Sequence, residues 1–145
     1  MHEVELEVGI GTFRPIATDD VVDHDMHSER YEISAEVGEA LQQAKAEGRR
    51  ITAVGTTVVR TLESYGATGE LSGDTELYIK RGFDWQFVDR MMTNFHVPKS
   101  SLLVMVDAFV GEHWKEIYKA ALGYESDDPY RMLSFGDAML LERKA

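Results

Sequence analysis

At 145 residues the chain is one domain by length, large enough to bury about two-thirds of its unfolded surface. Its 43% hydrophobic content suits a globular fold. It holds no apolar run near the ~18 residues of a membrane span, and no cysteine for a disulfide, a thiolate nucleophile or a Cys-based zinc site. With 26 acidic residues against 15 basic, a net charge of −11 excludes a non-specific nucleic-acid binder, which needs clustered Lys and Arg, but leaves room for one basic groove.

Met1-His2-Glu3 lacks the basic start and apolar stretch of a signal peptide, so a cytoplasmic protein is expected. Val4, Leu6, Val8 and Ile10 alternate with acids and predict a strand running into a loop. Gly9-Ile10-Gly11 lacks the third glycine of a dinucleotide fingerprint, and Thr12-Phe13-Arg14-Pro15 opens no helix; a tight turn accounts for it equally well. "DHDMHSERYEI", Asp23–Ile33, follows. Its histidines, His24 and His27, are three apart, which fits neither the i,i+4 of a helical zinc pair nor the i,i+2 of a strand. In an extended segment His27, Glu29, Tyr31 and Ile33 share a face, setting an imidazole beside a carboxylate. A metal site, a reactive or substrate-binding pair, and a solvated turn all remain open on spacing alone.

Ser34 caps a helix whose apolar stripe is Val37, Ala40, Leu41 and Ala44 and which Gly48 ends. "ITAV" (51–54) reads as a strand, and "VVRTLESYG" (58–66) as a second helix capped by Thr56 or Thr57. Arg60, one turn inside it, is placed to hold a carboxylate or phosphate, or to pair with Glu63 or a neighbour. "GATGELSGDT" (66–75) reads as a loop, and "ELYI", "WQFV" and "RMMTNF" as short strands. Asn94 and His96 share a face at the end of the last of these. Asn reads an amide or base edge and His transfers protons near neutrality; a buried, satisfied histidine is the plain alternative. "VPKSSLLVMVDAFVG" is a third helix with Pro98 near its first turn, buried on most sides, and "EHWKEIYKAALG" an amphipathic fourth. "SFGD" is a turn before a last strand, "AMLLE", and its Asp137 either aims into a cleft or closes an Asx turn. Strands alternating with helices indicate an α/β fold with a largely parallel sheet. Ligands in such sheets bind beyond the carboxyl ends of the strands, where "GIGTFRP", "GTT" and "TNFH" fall.

"VGIGTFRPI", "DHDMHSE", "GRRITAVGTTVVRTLES", "FDWQFVDRMMTNFHVPKSSLLVMVDAFVG" and "YRMLSFGDAML" stand in that order between Val4 and Leu141. Together they resemble the S-adenosylmethionine:tRNA ribosyltransferase-isomerases, the QueA family of queuosine biosynthesis. The resemblance implies transfer of the ribosyl part of S-adenosylmethionine, a co-substrate, to 7-aminomethyl-7-deazaguanine at the tRNA wobble position. Methionine and adenine leave, epoxyqueuosine forms, and no metal is implied. Such chemistry calls for general acids and bases and for groups that place the co-substrate. The expected catalytic residues are His24, His27, Glu29, His96 and Asp137, and the expected co-substrate-binding residues are Gly11, Thr12, Phe13, Thr56, Thr57, Arg60 and Asn94. In this reading His27 and Glu29 manage protons and His96 with Asn94 meets a base or the ribose. Arg60 and the Thr56–Thr57 turn hold an anion such as the methionine carboxylate or a phosphate.

The family is more than twice as long, and its first half and inserted β-barrel domain have no counterpart in these residues. The expected fold is therefore the carboxyl-terminal part of a three-layer α/β/α domain, with an apolar edge or face left uncovered. Lys80-Arg81 stands before Gly82 where the family usually has a proline, and "HVPKSS" where "HLPKST" is commoner. Three functional readings follow: a catalytic portion of the enzyme, a module that binds S-adenosylmethionine or the modified base without turnover, and a structural unit completed by a partner chain or by self-association.

Overall fold

A computed structural model describes residues 1–9, 27–123 and 127–144. Strands β1 (Glu5–Glu7), β2 (Glu29–Glu32) and β4 (Ser72–Thr75) form an antiparallel sheet in the order β1-β2-β4. Strands β3 (Thr52–Val54), β5 (Arg90–Asn94) and β6 (Ala138–Glu142) form a second sheet in the order β3-β5-β6. The helices are α1 (Ala35–Ala46), α2 (Thr56–Thr68), α3 (Ser101–Val110) and α4 (Trp114–Leu122), the last entered through a 3-10 turn at Gly111–His113. Among the described residues no helix is long and apolar enough to cross a membrane.

Helix α2 organises the interior, since Val59 through Tyr65 are buried without a break. A helix buried on all sides must satisfy its polar side chains internally. Arg60, Ser64 and Thr68, spaced at i, i+4 and i+8, lie one above another and face the antiparallel sheet. They meet the Glu29 carboxylate, the Thr75 hydroxyl at 2.7 Å and the Tyr31 hydroxyl at 2.8 Å. A quarter-turn away, Glu63 is fully buried, and its carboxylate accepts the backbone N–H groups of Gln86 (2.7 Å), Phe87 (3.0 Å) and Val88 (2.8 Å). Gly66, one turn on, lets that loop close: a Cβ there would lie 2.5 Å from Gln86 Cβ.

The α/β class stands, while parallel pairing among the strands is confined to β3 and β5, with Val54 opposite Met92. The other three strand ladders are antiparallel. Helices α3 and α4 lie between β5 and β6, and the chain re-enters the sheet beside the end of β5, with Ala138 opposite Asn94, so β6 runs antiparallel to β5. The Ser34 cap matches expectation, its hydroxyl accepting from Val37 N–H; α3 is capped by Ser100, which accepts from Leu103 N–H, so Pro98 falls two residues before the cap. Neither Thr56 nor Thr57 caps α2. Gly55 does, at φ 97°, and its own N–H donates to Met92 O at 2.8 Å. The expected loop at 66–75 contains the last turn of α2 and strand β4, whereas "ELYI" and "WQFV" form no strands.

One face of the β3-β5-β6 sheet carries buried Ala53, Met91, Thr93, Met139 and Leu141. The other face is open. Val54, Met92 and Leu140 lie in register across it at 62, 39 and 55% exposure, an uncovered apolar row of the kind expected from the family resemblance.

Candidate active site

Strand alternation places Glu29, Tyr31 and Ile33 inward as expected, with His27 exposed ahead of the strand. Glu29 is 3% exposed, and among the described residues Gly9 N–H donates to one carboxylate oxygen at 2.9 Å and the Arg60 guanidinium pairs with the other. Arg60 is itself 2% exposed, so its charge faces Glu29 and not a cleft beside Thr56 and Thr57. Two residues expected in different roles thus form one buried ion pair. It sits where residues 9 and 27 bracket the stretch carrying Gly11, Thr12, Phe13 and His24; those four lie outside the described residues.

The second cluster is at the carboxyl ends of β3 and β5, the end that binds ligands in α/β sheets. Half-buried Thr56 and Thr57 begin α2 there, tied to β5 by the Gly55–Met92 hydrogen bond. Asn94 donates from Nδ2 to Asp137 O at 3.0 Å, joining β5 to the turn before β6. His96 Nε2 lies 2.8 Å from Thr93 Oγ1, and the His96 N–H donates to the Tyr118 hydroxyl at 2.8 Å. Burial lowers the His96 pKa to about 4, so the imidazole is neutral at pH 7 and exchanges hydrogen bonds rather than carrying charge. Burial also raises the Tyr118 pKa and keeps its hydroxyl protonated.

Asp137 is not aimed into an open cleft. It accepts from Arg131 N–H at 2.7 Å and Arg131 Nε at 2.9 Å, and those bonds hold its carboxyl below the usual carboxylate range. It closes the 131–137 turn and lends the site its backbone carbonyl. Exposed Val97, Tyr130, Leu133 and Phe135 surround this end of β5. Lys99 (φ 57°) and Leu133 (φ 66°), the described non-glycine residues with positive φ, flank it on either side. Strained backbone of this kind gathers at ligand sites. Among the described residues no three metal-ligating side chains converge.

A family model described as "Queuosine biosynthesis protein" matches residues 1–141. The chain belongs to this family. Among curated members of the queuosine biosynthesis family it is 49% identical over 143 residues to the S-adenosylmethionine:tRNA ribosyltransferase-isomerase of Carboxydothermus hydrogenoformans, covering 96% of this chain and 41% of that protein. It is 44% identical over 144 residues to the protein of the same name from Natranaerobius thermophilus, covering 97% of this chain and again 41% of the relative. The crystal structure of S-adenosylmethionine tRNA ribosyltransferase from Thermotoga maritima superposes with a TM-score of 0.70 at 42% identity, over 77% of this chain and 40% of that one. The chain thus spans about two-fifths of the length of these family members.

Not foreseen from the sequence were the hydrogen-bond partners: Gly9 for Glu29, Thr93 and Tyr118 for His96, and Arg131 for Asp137. Only the last carried a local signal, a cation six residues before an acid across a glycine turn.

Proposed function

We propose that this chain supplies part of the catalytic centre of an S-adenosylmethionine:tRNA ribosyltransferase-isomerase acting in the cytoplasm. The reaction moves the ribosyl part of S-adenosylmethionine onto 7-aminomethyl-7-deazaguanine at the tRNA wobble position, releasing methionine and adenine. The observation that carries this reading is identity of 49% across 96% of the chain to a protein so named. The open, polar end of β5 supports it.

In this reading the leaving adenine or the modified base lies against the exposed rings of Tyr130 and Phe135, with Asn94 and neutral His96 hydrogen-bonding its edge. Thr56, Thr57 and the first-turn N–H groups of α2 receive an anionic group, the methionine carboxylate being the natural candidate. His27, which is exposed, remains the proton carrier together with His24. Glu29 and Arg60, buried against each other and tied to Gly9, act as positioning residues for β2, which His27 precedes. Asp137 shapes the turn that presents Tyr130 and Phe135.

The test is adenine release from S-adenosylmethionine with an anticodon stem-loop carrying 7-aminomethyl-7-deazaguanine. Release that depends on that base, and that falls at least tenfold in His27→Ala, is expected. Full turnover in His27→Ala removes the proton-carrying role. The open Val54–Met92–Leu140 row favours a second reading, in which the chain binds S-adenosylmethionine and turns over only with a further chain segment or a second copy covering that face. Binding without adenine release selects it.

A further inference from the structure

Lys80 and Arg81, Lys99, and Lys115 come from three separate parts of the sequence. The fold gathers them around one groove of about 580 Å³, with Trp114 and apolar residues of α3 on its walls. The acid on its lining is Asp107, to which Arg81 donates two hydrogen bonds at 2.6 and 2.7 Å; Glu112 reaches Arg81 at 3.6 Å. Four cations against Asp107 and the adjoining Glu112 leave the groove at +2 on a chain of net charge −11, so it opposes the sign of the molecule. It is also continuous with the candidate site. Pro98 and Lys99 follow His96 directly after Val97, and the Trp114 ring packs edge-on against Tyr118 at 5.4 Å, whose hydroxyl receives the His96 N–H. The groove holds Lys99 in a left-handed conformation that a lysine rarely adopts.

We propose that this groove receives the sugar–phosphate strand of a single-stranded RNA segment adjoining the nucleotide held at the end of β5. Phosphates meet Lys99 and Lys115, and a neighbouring base rests on Trp114. A positive groove with an aromatic wall suits a single strand, and RNA is read mainly where its bases are unpaired. The inference rests on the tRNA reading above and adds where on this chain the strand runs.

The test compares two anticodon stem-loops of one sequence, one carrying 7-aminomethyl-7-deazaguanine and one unmodified, binding to the full 145-residue chain between 50 and 200 mM salt. Two lost phosphate contacts at ~0.7 each flatten the log–log salt slope by ~1.4 in the Lys99→Ala, Lys115→Ala double variant. Its loss of affinity for both RNAs is then about sevenfold greater at 50 mM than at 200 mM. Lys99→Gly, which removes the charge and relieves the left-handed backbone, shows half the slope change with an unchanged or higher melting temperature. A double variant that keeps the wild-type slope overturns the groove and leaves the tRNA reading intact. Wild-type chain that binds neither RNA overturns both. Polyglutamate displacing the RNA at equal charge concentration assigns the groove to an acidic protein and overturns the proposal. Loss of the salt-sensitive contacts with no preference for the modified base upholds the groove and sinks the base-recognition part of the earlier reading.

Discussion

The polar groups around α2 and those at the end of β5 are opposites. Around α2, Glu29, Arg60, Glu63 and Ser64 are buried, and each has protein partners. At the end of β5 the histidine is neutral, aromatic rings are exposed and two non-glycine residues hold positive φ. Both regions were candidate chemistry in the sequence, where an acid and an arginine look as reactive as an asparagine and a histidine. The difference teaches that charge alone does not mark a site. A charge answered wholly inside the fold serves architecture, and a polar group beside an opening is the better candidate for a ligand.

The strongest way to break that contrast is at the ion pair. Arg60→Met leaves Glu29 buried beside an apolar chain and is expected to cost about 3–5 kcal/mol in urea denaturation. The Glu29→Met, Arg60→Met double variant recovers much of it, because an apolar pair can replace a buried ionic one. If Arg60→Met is as stable as wild type but loses affinity for S-adenosylmethionine, Arg60 faces a ligand and the contrast fails.

The next effect is pH-dependent. The His96 pKa is lowered to about 4 in the fold, against about 6.5 when unfolded, so between those values the unfolded chain takes up a proton that the folded chain refuses. Stability from this group is complete above pH 6.5 and declines as pH falls toward 4, by on the order of 2–3 kcal/mol. His96→Gln flattens that window; an unchanged pH profile in the variant shows that His96 is solvated. The smallest effect sharpens the picture at the open end. Leu133→Gly relieves a left-handed residue and is expected to stabilise by up to about 1 kcal/mol while weakening ligand binding, both readable by thermal melts with and without S-adenosylmethionine. Destabilisation by Leu133→Gly means that its side chain packs rather than serves the site.

Helices were the most legible part, because Ser34 caps α1 in the manner its sequence announces and the apolar stripes are regular. Strands were legible at Thr52–Val54, Arg90–Asn94 and Ala138–Glu142, whereas Glu29–Glu32 was read only as sharing a face if extended. Ser72–Thr75 was missed because its strand character comes from pairing with β2 and not from its composition, which is polar. "WQFV" misled for a physical reason: Phe87 and Val88 are buried as in a strand, yet their N–H groups go to the Glu63 carboxylate instead of a neighbouring strand. The gathering of small polar residues at the end of β5 was legible, since they follow apolar ones in the sequence. Their partners were not, because those are contacts such as His96 N–H with the Tyr118 hydroxyl between residues 22 apart, and the neutrality of His96 was not, because it comes from burial by the whole fold.

Gly66 has a consequence for anyone who would stabilise this protein. Replacing a glycine inside a helix with alanine is ordinarily a safe improvement, since the helix gains about 1 kcal/mol of intrinsic preference. Here the added methyl acts as a wedge, pushing Gln86 away from α2 and prising three N–H groups off Glu63. The displaced loop leads through Asp89, whose carboxylate accepts Ile51 N–H at 2.9 Å, straight into β5. A change chosen to stiffen a helix would therefore be felt as a shift of register at the far end of a strand, beside His96.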